Sequence, residues 1–333
     1  MTELDALYLG FDTSNYTTSS AIFSDDRGDF ILNYKKLLPV AEGERGLRQS
    51  EAVFSHIKAT EDASEAIRAS LKDVGRSSVI RAVACSVSPR SAEGSYMSCF
   101  LVGEALASSV AASIGVPMFK VSHQDGHVAA AVFSASRIYS FDPFDFLSRP
   151  FISFHVSGGT FDALFVSPSD SKSRLFDVSR IGGTLDASAG QIIDRVGVGM
   201  GLRFPCGAEL DSLALSFSGT IKKDGLSVRG TDCNMSGLEN RANKMISSGA
   251  DKAEVAAYLL DFIARVVEKL TDNATTSGKV PVIYAGGVMS SAYIRKRLEN
   301  RGFFASPELS SDNAAGVAFL ARGLYLKNGG DAG

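Results

Sequence analysis

Two histidines four residues apart, His123 and His127, carry the strongest chemical signal in the sequence. On a helix, residues four apart share one face, so both imidazoles can reach a single metal ion. The chain has 4 histidines in all, which makes the pairing informative. A carboxylate is the natural further ligand, and Asp312 in the run LSSDNAA is a candidate. Alternatively, one histidine is a core residue bonded to a carbonyl, and Asp312 only places charge at a helix N-terminus.

Two glycine pairs follow apolar strands, at Ser157-Gly158-Gly159-Thr160 and at Ala285-Gly286-Gly287-Val288. Glycine lets the backbone turn tightly and present N–H groups to a phosphate. A strand-to-helix turn also brings backbone close to a ligand at the carboxyl end of a sheet. The alternatives are an ordinary hairpin turn and a strand-to-helix connection without a ligand.

Acidic and basic side chains form two further clusters. Asp186, Gly190 and Asp194 are spaced by four, which predicts one shared helix face, where a carboxylate can accept two hydrogen bonds from ribose hydroxyls. Exposed acids on an ordinary helix are the alternative. The run from Tyr293 to Arg301 has four positive charges that can meet RNA phosphate, although a solvated helix face is the favoured interpretation.

Strands and helices alternate along the chain, which indicates sheets covered by helices in an α/β fold. A predicted hairpin, with strands at 7–11 and 19–23, recurs in similar form at 154–166. The recurrence indicates either a duplicated domain or two unrelated hairpins. The aromatic segment 138–150, interrupted twice by proline, is interpreted as the connection between the two halves.

Composition narrows the class of protein. A chain of 333 residues, 45% hydrophobic, suits two domains or lobes. The net charge of −3 provides no overall basic field for nucleic acid, so an RNA substrate would need a local patch or a helper subunit. The 4 cysteines form no CxxC pair, which favours free thiols in the cytoplasm. The apolar stretch 100–116 contains Glu104, so we expect a buried helix and no membrane partner.

The order of these motifs resembles the tRNA threonylcarbamoyltransferase family, once described as a glycoprotease. The matching series is FDTS, HxxGH, VSGGT, LDxxAGxxxD, GLxxPxG, AGGV and SDNAA, from about Leu7 to Tyr325. The resemblance implies an actin/hexokinase/Hsp70-like (ASKHA) fold, with two related lobes of mixed sheets flanked by helices and a nucleotide cleft between them. It places an N-terminal lobe at 1–140, completed by a C-terminal helix at 310–328, and a C-terminal lobe at 150–309.

The resemblance also implies roles for individual residues. His123, His127 and Asp312 match the ligands of one iron or zinc ion. The nucleotide, either ATP/ADP or threonylcarbamoyl-AMP, would be bound by residues matching Ser157, Gly158, Gly159, Asp194, Gly207 and Asp211. Asp12 matches the acidic residue of the first hairpin and is the catalytic candidate. The implied partners are tRNA and a helper protein of the same modification pathway.

Several positions depart from the family pattern, which suggests a divergent paralogue. The acidic run of the first hairpin is replaced by Asn15, Tyr16 and Thr17, and a glycine-rich loop is replaced by 88–97. Thr160 stands where a histidine is expected, and Ser291 where an asparagine is expected. Two hypotheses follow: a carbamoyl-type transferase acting from an adenylate, and a non-catalytic nucleotide-binding partner of a transferase. Metallopeptidase activity is disfavoured because there is no HExxH motif.

Overall fold

The fold is described from a computed structural model. The residues it describes are 4–14, 16–39, 47–75, 78–276, 278–310 and 314–330. Two residues of the sequence analysis, Asn15 and Asp312, lie outside these ranges, so the proposed aspartate ligand has no structural description here.

The described part of the N-terminal half forms a five-stranded sheet in the order β3-β2-β1-β4-β5. Its strands are β1 (Asp5–Ser14), β2 (Thr17–Ser24), β3 (Asp29–Leu37), β4 (Ser78–Ser88) and β5 (Met118–Ser122). The hairpin partner β2 runs antiparallel to β1, whereas β4 runs parallel to it. The strands β1 and β2 are buried along their whole length, as expected for strands covered on both faces.

Helices cover both faces of this first sheet. They are α1 (Gln49–Val74), α2 (Phe100–Ile114), α3 (His123–Tyr139) and, from the C-terminal end of the chain, α10 (Ala315–Lys327). A capping box starts α3, because the Ser122 hydroxyl accepts from the Asp125 N–H and the Asp125 carboxylate accepts from the Ser122 N–H. This cap sets the start of the helix that carries both histidines.

The described part of the C-terminal half forms a seven-stranded sheet in the order β12-β11-β6-β7-β8-β10-β9. Its strands are β6 (Phe151–Val156), β7 (Phe161–Pro168), β8 (Phe176–Thr184), β9 (Val228–Arg229), β10 (Asp232–Cys233), β11 (Val282–Ala285) and β12 (Phe303–Phe304). Here too the first strand pairs antiparallel with its hairpin partner β7 and parallel with a later strand, β11. The two hairpins therefore have corresponding positions in their sheets.

The remaining helices are α4 (Pro143–Leu147), α5 (Ala189–Gly199), α6 (Gly207–Ser216), α7 (Ser236–Ser247), α8 (Lys252–Ala274) and α9 (Ala292–Leu298). The long helix α8 is capped by Asp251, whose carboxylate accepts from the Ala253 N–H. Its apolar side chains, from Val255 to Leu270, are buried in the core of the C-terminal half. The predicted connection 138–150 contains the end of α3 and the short α4.

The helix α10 packs against β1, β2, β4 and α3. Contact with β1 is close: a Cβ at Gly10 would lie 2.4 Å from the Ala318 nitrogen, so only glycine fits there. All 4 cysteines are buried free thiols. Within the described ranges, no helix is both long enough and apolar enough to cross a membrane.

Candidate functional site

A cavity of about 430 Å³ lies where the two sheets face each other. Residues from both halves line it, among them His123 and His127 of α3, His155 of β6 and Ser157 and Thr160 of the hairpin turn. Apolar side chains, including Met97 and Phe100, line the side that faces α2. The cavity is thus a cleft between the halves, with polar groups converging on an otherwise apolar pocket.

The two predicted metal histidines meet inside this cavity. The Nε2 atoms of His123 and His127 are 3.0 Å apart. Two imidazole nitrogens bound to one ion at about 2.0–2.1 Å lie at a similar separation. One turn of α3 therefore presents the pair of nitrogen donors that the i, i+4 spacing predicts.

Asp12 orients the first of these histidines. Its carboxylate is fully buried, and both of its oxygens lie 3.1 Å from Nδ1 of His123. The Ser86 hydroxyl also donates to Asp12. When Nδ1 of His123 donates its proton to Asp12, Nε2 keeps its lone pair toward His127. This carboxylate–histidine arrangement is typical of metal sites, so the donor set fits an iron or zinc ion.

A third imidazole was missed by the sequence analysis. The ring of His155 lies 4.7 Å from that of His127, measured between ring centroids. Its signal in the sequence is a histidine in an otherwise apolar strand, two residues before the glycine turn. Within the described ranges, no three His, Cys, Asp or Glu side chains are placed to hold a metal ion.

The turn at Ser157-Gly158-Gly159 faces open space. Added Cβ atoms at Gly158 and Gly159 would meet nothing within 4 Å. The turn is braced from behind by α5, since Ser188 donates to the Gly158 carbonyl and the Gly190 N–H donates to the Ser157 carbonyl. No described residue accepts a hydrogen bond from the N–H of Gly158 or Gly159, so both donors are available to a phosphate.

A second cavity, of about 530 Å³, lies on the other side of this turn. Asp194, Gly207 and Asp211 line it, together with Gly158 and Gly287. Both carboxylates also accept hydrogen bonds from backbone N–H groups. Asp194 accepts from the Cys206 N–H at 2.9 Å, and Asp211 accepts from the N–H groups of Ala292 and Tyr293 at the start of α9. Four of the six predicted nucleotide residues thus line this cavity, whereas Ser157 and Gly159 line the histidine cavity.

A third cavity, of about 610 Å³, lies beside the other two. It shares His155 and Ser157 with the histidine cavity, and it shares Gly158 and Gly287 with the second cavity. The three cavities therefore lie around one turn, Ser157-Gly158-Gly159.

Asp186 does not share a helix face with Gly190 and Asp194, so that prediction was wrong. The helix α5 begins only at Ala189, and Asp186 lies in the preceding loop. Its carboxylate accepts from the N–H groups of Met235 and Ser236. Partial burial would raise the pKa of Asp186, but these hydrogen bonds outweigh it and lower the pKa to about 2. The residue ties the loop to α7.

Arg90 reaches the histidine cavity from the loop that departs from the family pattern. Its Nη2 lies 3.1 Å from Oδ2 of Asp162, a buried residue of β7, and Nε of Arg180 lies 2.7 Å from the other oxygen. Tyr96 is 65% exposed and does not line the cavity. Of the altered hairpin, Tyr16 lines the cavity.

Three of the four positive charges in the run 293–301 contact other parts of the protein. Arg297 pairs with Glu268 and Asp261, and Arg301 pairs with Glu268 and Asp272. Arg295 donates to two backbone carbonyls. The ion pairs with α8 support the interpretation that the run is a solvated face of the protein's own surface.

Comparison with known proteins identifies sequence relatives of this chain. The family model for tRNA N6-adenosine threonylcarbamoyltransferase matches residues 55–319. The enzyme of that name from Clostridium perfringens is 34% identical over 247 residues, which cover 68% of this chain and 68% of the relative. The corresponding enzyme from Caulobacter vibrioides is 28% identical, with 96% of this chain and 89% of the relative covered.

Solved structures bear on the fold alone. HypF of T. kodakarensis superposes with a TM-score of 0.58 at 14% identity, covering 98% of this chain and 48% of that protein. A full-length HypF in its phosphate- and nucleotide-bound form gives 0.54 at 13% identity, covering 98% of this chain and 46% of that one. The predicted actin/hexokinase/Hsp70-like fold is confirmed. Given the match over most of its length, the chain belongs to the tRNA N6-adenosine threonylcarbamoyltransferase family.

Proposed function

We propose that this protein transfers a threonylcarbamoyl group from an adenylate to the N6 amine of an adenosine in tRNA. The observation that supports it best is the relation of the cavities. The histidine pair and the carboxylates Asp194 and Asp211 line separate cavities around one turn, and the third cavity shares lining residues with both. A threonylcarbamoyl adenylate has matching parts: a nucleoside, a phosphate and an acyl group.

Each part of the donor has a place in this arrangement. The adenosine would lie in the second cavity, with its ribose hydroxyls donating to Asp194. The phosphate would accept from the N–H groups of Gly158 and Gly159. The acyl group would then enter the histidine cavity, where Met97 and Phe100 exclude water from it.

His123 and His127 would hold one iron or zinc ion, with Asp312 as the further ligand that the family resemblance implies. Such an ion supplies Lewis-acid polarisation of a bound oxygen. The reaction forms a C–N bond to the adenosine amine, breaks the C–O bond to the phosphate and releases AMP and one proton. The protein contributes by placing the two reactants and stabilising charge.

A transfer assay tests this function. The metal-loaded protein, threonylcarbamoyl-AMP and unmodified tRNA are mixed, with and without helper proteins of the pathway, and modified adenosine is read by mass spectrometry. We expect product with the wild-type protein and with Arg137→Ala, a surface change on α3. In His123→Ala both product and bound metal should be lost. Wild-type levels of both in that variant would contradict the proposed role of the histidine pair.

The non-catalytic hypothesis is favoured by one observation. Among the described residues that line the histidine cavity, Asp162 is the single carboxylate, and two arginines hold it. A non-catalytic binding protein would bind the adenylate but would form no product under any condition of the assay. Calorimetry with threonylcarbamoyl-AMP, run on the same preparation, separates that outcome from a protein that binds nothing.

A further inference from the structure

We propose that Arg90 binds the carboxylate of the transferred acyl group and thereby determines which adenylates the site accepts. The inference rests on the proposed function, because it assigns the acyl end of the donor to the histidine cavity. It concerns a residue of the loop 88–97, where the sequence departs from the family.

The position of Arg90 is fixed by its backbone. The Arg90 N–H donates to the Ser95 hydroxyl, and the Arg90 carbonyl accepts from the Ser88 hydroxyl. One residue earlier, the Pro89 carbonyl accepts from the Gln124 N–H on α3. The loop is thereby tied to the helix that carries both metal histidines, so the Arg90 side chain starts from a defined point at the cavity wall.

The end of the Arg90 side chain is also held. Its Nη2 donates to Asp162, which is 5% exposed and lies opposite His155 in the ladder between β6 and β7. Arg180 makes the shorter hydrogen bond to Asp162, because its Nε lies 2.7 Å from Oδ1 of that residue. Neither Nε nor Nη1 of Arg90 has a hydrogen-bond partner in the described ranges, and the side chain is 50% exposed. Arg90 is thus oriented but retains donors for a ligand.

These donors suit a carboxylate. A guanidinium presents its N–H groups in a fork that matches two carboxylate oxygens. Among the described residues lining this cavity, Arg90 is the one arginine or lysine. A carboxylate entering beside Asp162 would be repelled unless a cation faced it. A threonylcarbamoyl group has such a carboxylate, whereas a plain carbamoyl group does not.

The contact with Asp162 permits a different role. Arg90 follows β4 of the first sheet and Asp162 belongs to β7 of the second, so the pair could serve only to hold the two halves together. The two roles differ in what they do to ligands. Loss of a contact that only holds the halves together affects the binding of every ligand alike. Loss of a contact to the ligand's carboxylate affects only ligands that have the carboxylate.

The experiment is calorimetry with two non-hydrolysable adenylates. One has the threonylcarbamoyl group, and the other is the same molecule with the carboxylate replaced by hydrogen. In Arg90→Met we expect affinity for the first to fall roughly ten- to hundredfold and affinity for the second to change by less than about threefold. In the matched control Arg180→Met, which leaves Arg90 and Asp162 in place, the wild-type preference should remain.

Each other outcome counts against the proposal in a distinct way. Equal losses for both ligands in Arg90→Met would assign Arg90 to holding the halves together. A wild-type protein that binds both ligands equally would leave the proposed function standing and remove the role of Arg90. A wild-type protein that binds neither would overturn both. Thermal melts confirm that each variant is folded.

Discussion

Both carboxylate oxygens of Asp12 lie 3.1 Å from Nδ1 of His123, inside the protein and away from the cavity. The acidic residue of the first hairpin therefore acts on the site through a histidine. Its geometry favours a positioning role over direct contact with substrate.

We predict that Asp12→Asn weakens metal binding roughly ten- to hundredfold, because an amide neither fixes the histidine tautomer nor raises its basicity as a carboxylate does. Competition with a chelator of known affinity measures the loss. Ser86→Ala removes the other donor to Asp12 but leaves the carboxylate on His123, so its effect should be smaller. Unchanged affinity in Asp12→Asn would separate the residue from the metal site.

Gly190→Ala should disturb the turn at Ser157-Gly158-Gly159. An added Cβ would lie 2.5 Å from the Gly158 Cα and 2.6 Å from the Ser157 carbonyl oxygen. Because both are backbone atoms, relief requires the turn or α5 to move, and we expect about 1–3 kcal/mol of lost stability with weaker nucleotide binding. Urea unfolding and calorimetry with ADP measure the two effects. Gly225→Ala, where nothing lies within 4 Å, is the control and should leave ADP binding unchanged.

Asp194→Ala should weaken binding of ATP or ADP by about tenfold, through the loss of hydrogen bonds to the ribose. The structure adds a second cause, because Asp194 also accepts from the Cys206 N–H and holds the segment that contains Gly207. Calorimetry with adenosine nucleotides measures the affinity. Glu209→Ala is a control nearby on α6. Equal affinities for Asp194→Ala and the wild type would remove the residue from the nucleotide site.

The lowered pKa of Asp186 predicts that the free energy of unfolding depends on pH. Hydrogen bonds from Met235 and Ser236 lower its pKa to about 2 in the folded protein, against 3.8 as a free group. A carboxyl with a lowered folded-state pKa contributes stability above the unfolded value, and the contribution is lost as the pH falls from about 4 toward 2. We expect urea midpoints of the wild type and Asp186→Asn to differ more at pH 5 than at pH 2.5. A difference that does not depend on pH would contradict the assignment.

Local patterns in the sequence predicted much of the fold. The i, i+4 spacing of His123 and His127 indicated a helix with one liganding face, and α3 has that geometry. The alternation of apolar strands and helices indicated two sheets, and the predicted hairpins are present. Motif order then indicated the superfamily. These features depend on neighbours along the chain, which sequence periodicity reports directly.

Features that depend on contacts between residues far apart in the sequence could not be predicted from local patterns. The side chains of His155 and Arg90 enter the cavity only because the two sheets face each other, and no spacing in the sequence records that approach. Asp186 was placed on a helix because its spacing of four to Gly190 and of eight to Asp194 fitted one and two turns. The residue instead accepts hydrogen bonds from a segment about 50 positions later. Strand β3 has no alternation of apolar and polar residues and no buried residue, so the sequence gave no strand signal there.

The close packing of α10 on β1 has a consequence for synthesis of the chain. Gly10 and Ala318 meet backbone to backbone, although Gly10 is synthesised long before Ala318. Until α10 leaves the ribosome, the face of the first sheet that contains Ala6 and Tyr8 lacks the helix that covers it. The second half can complete its own core earlier. The half that holds the paired histidines therefore completes its core after the other half, and its uncovered apolar face is open to aggregation in the meantime.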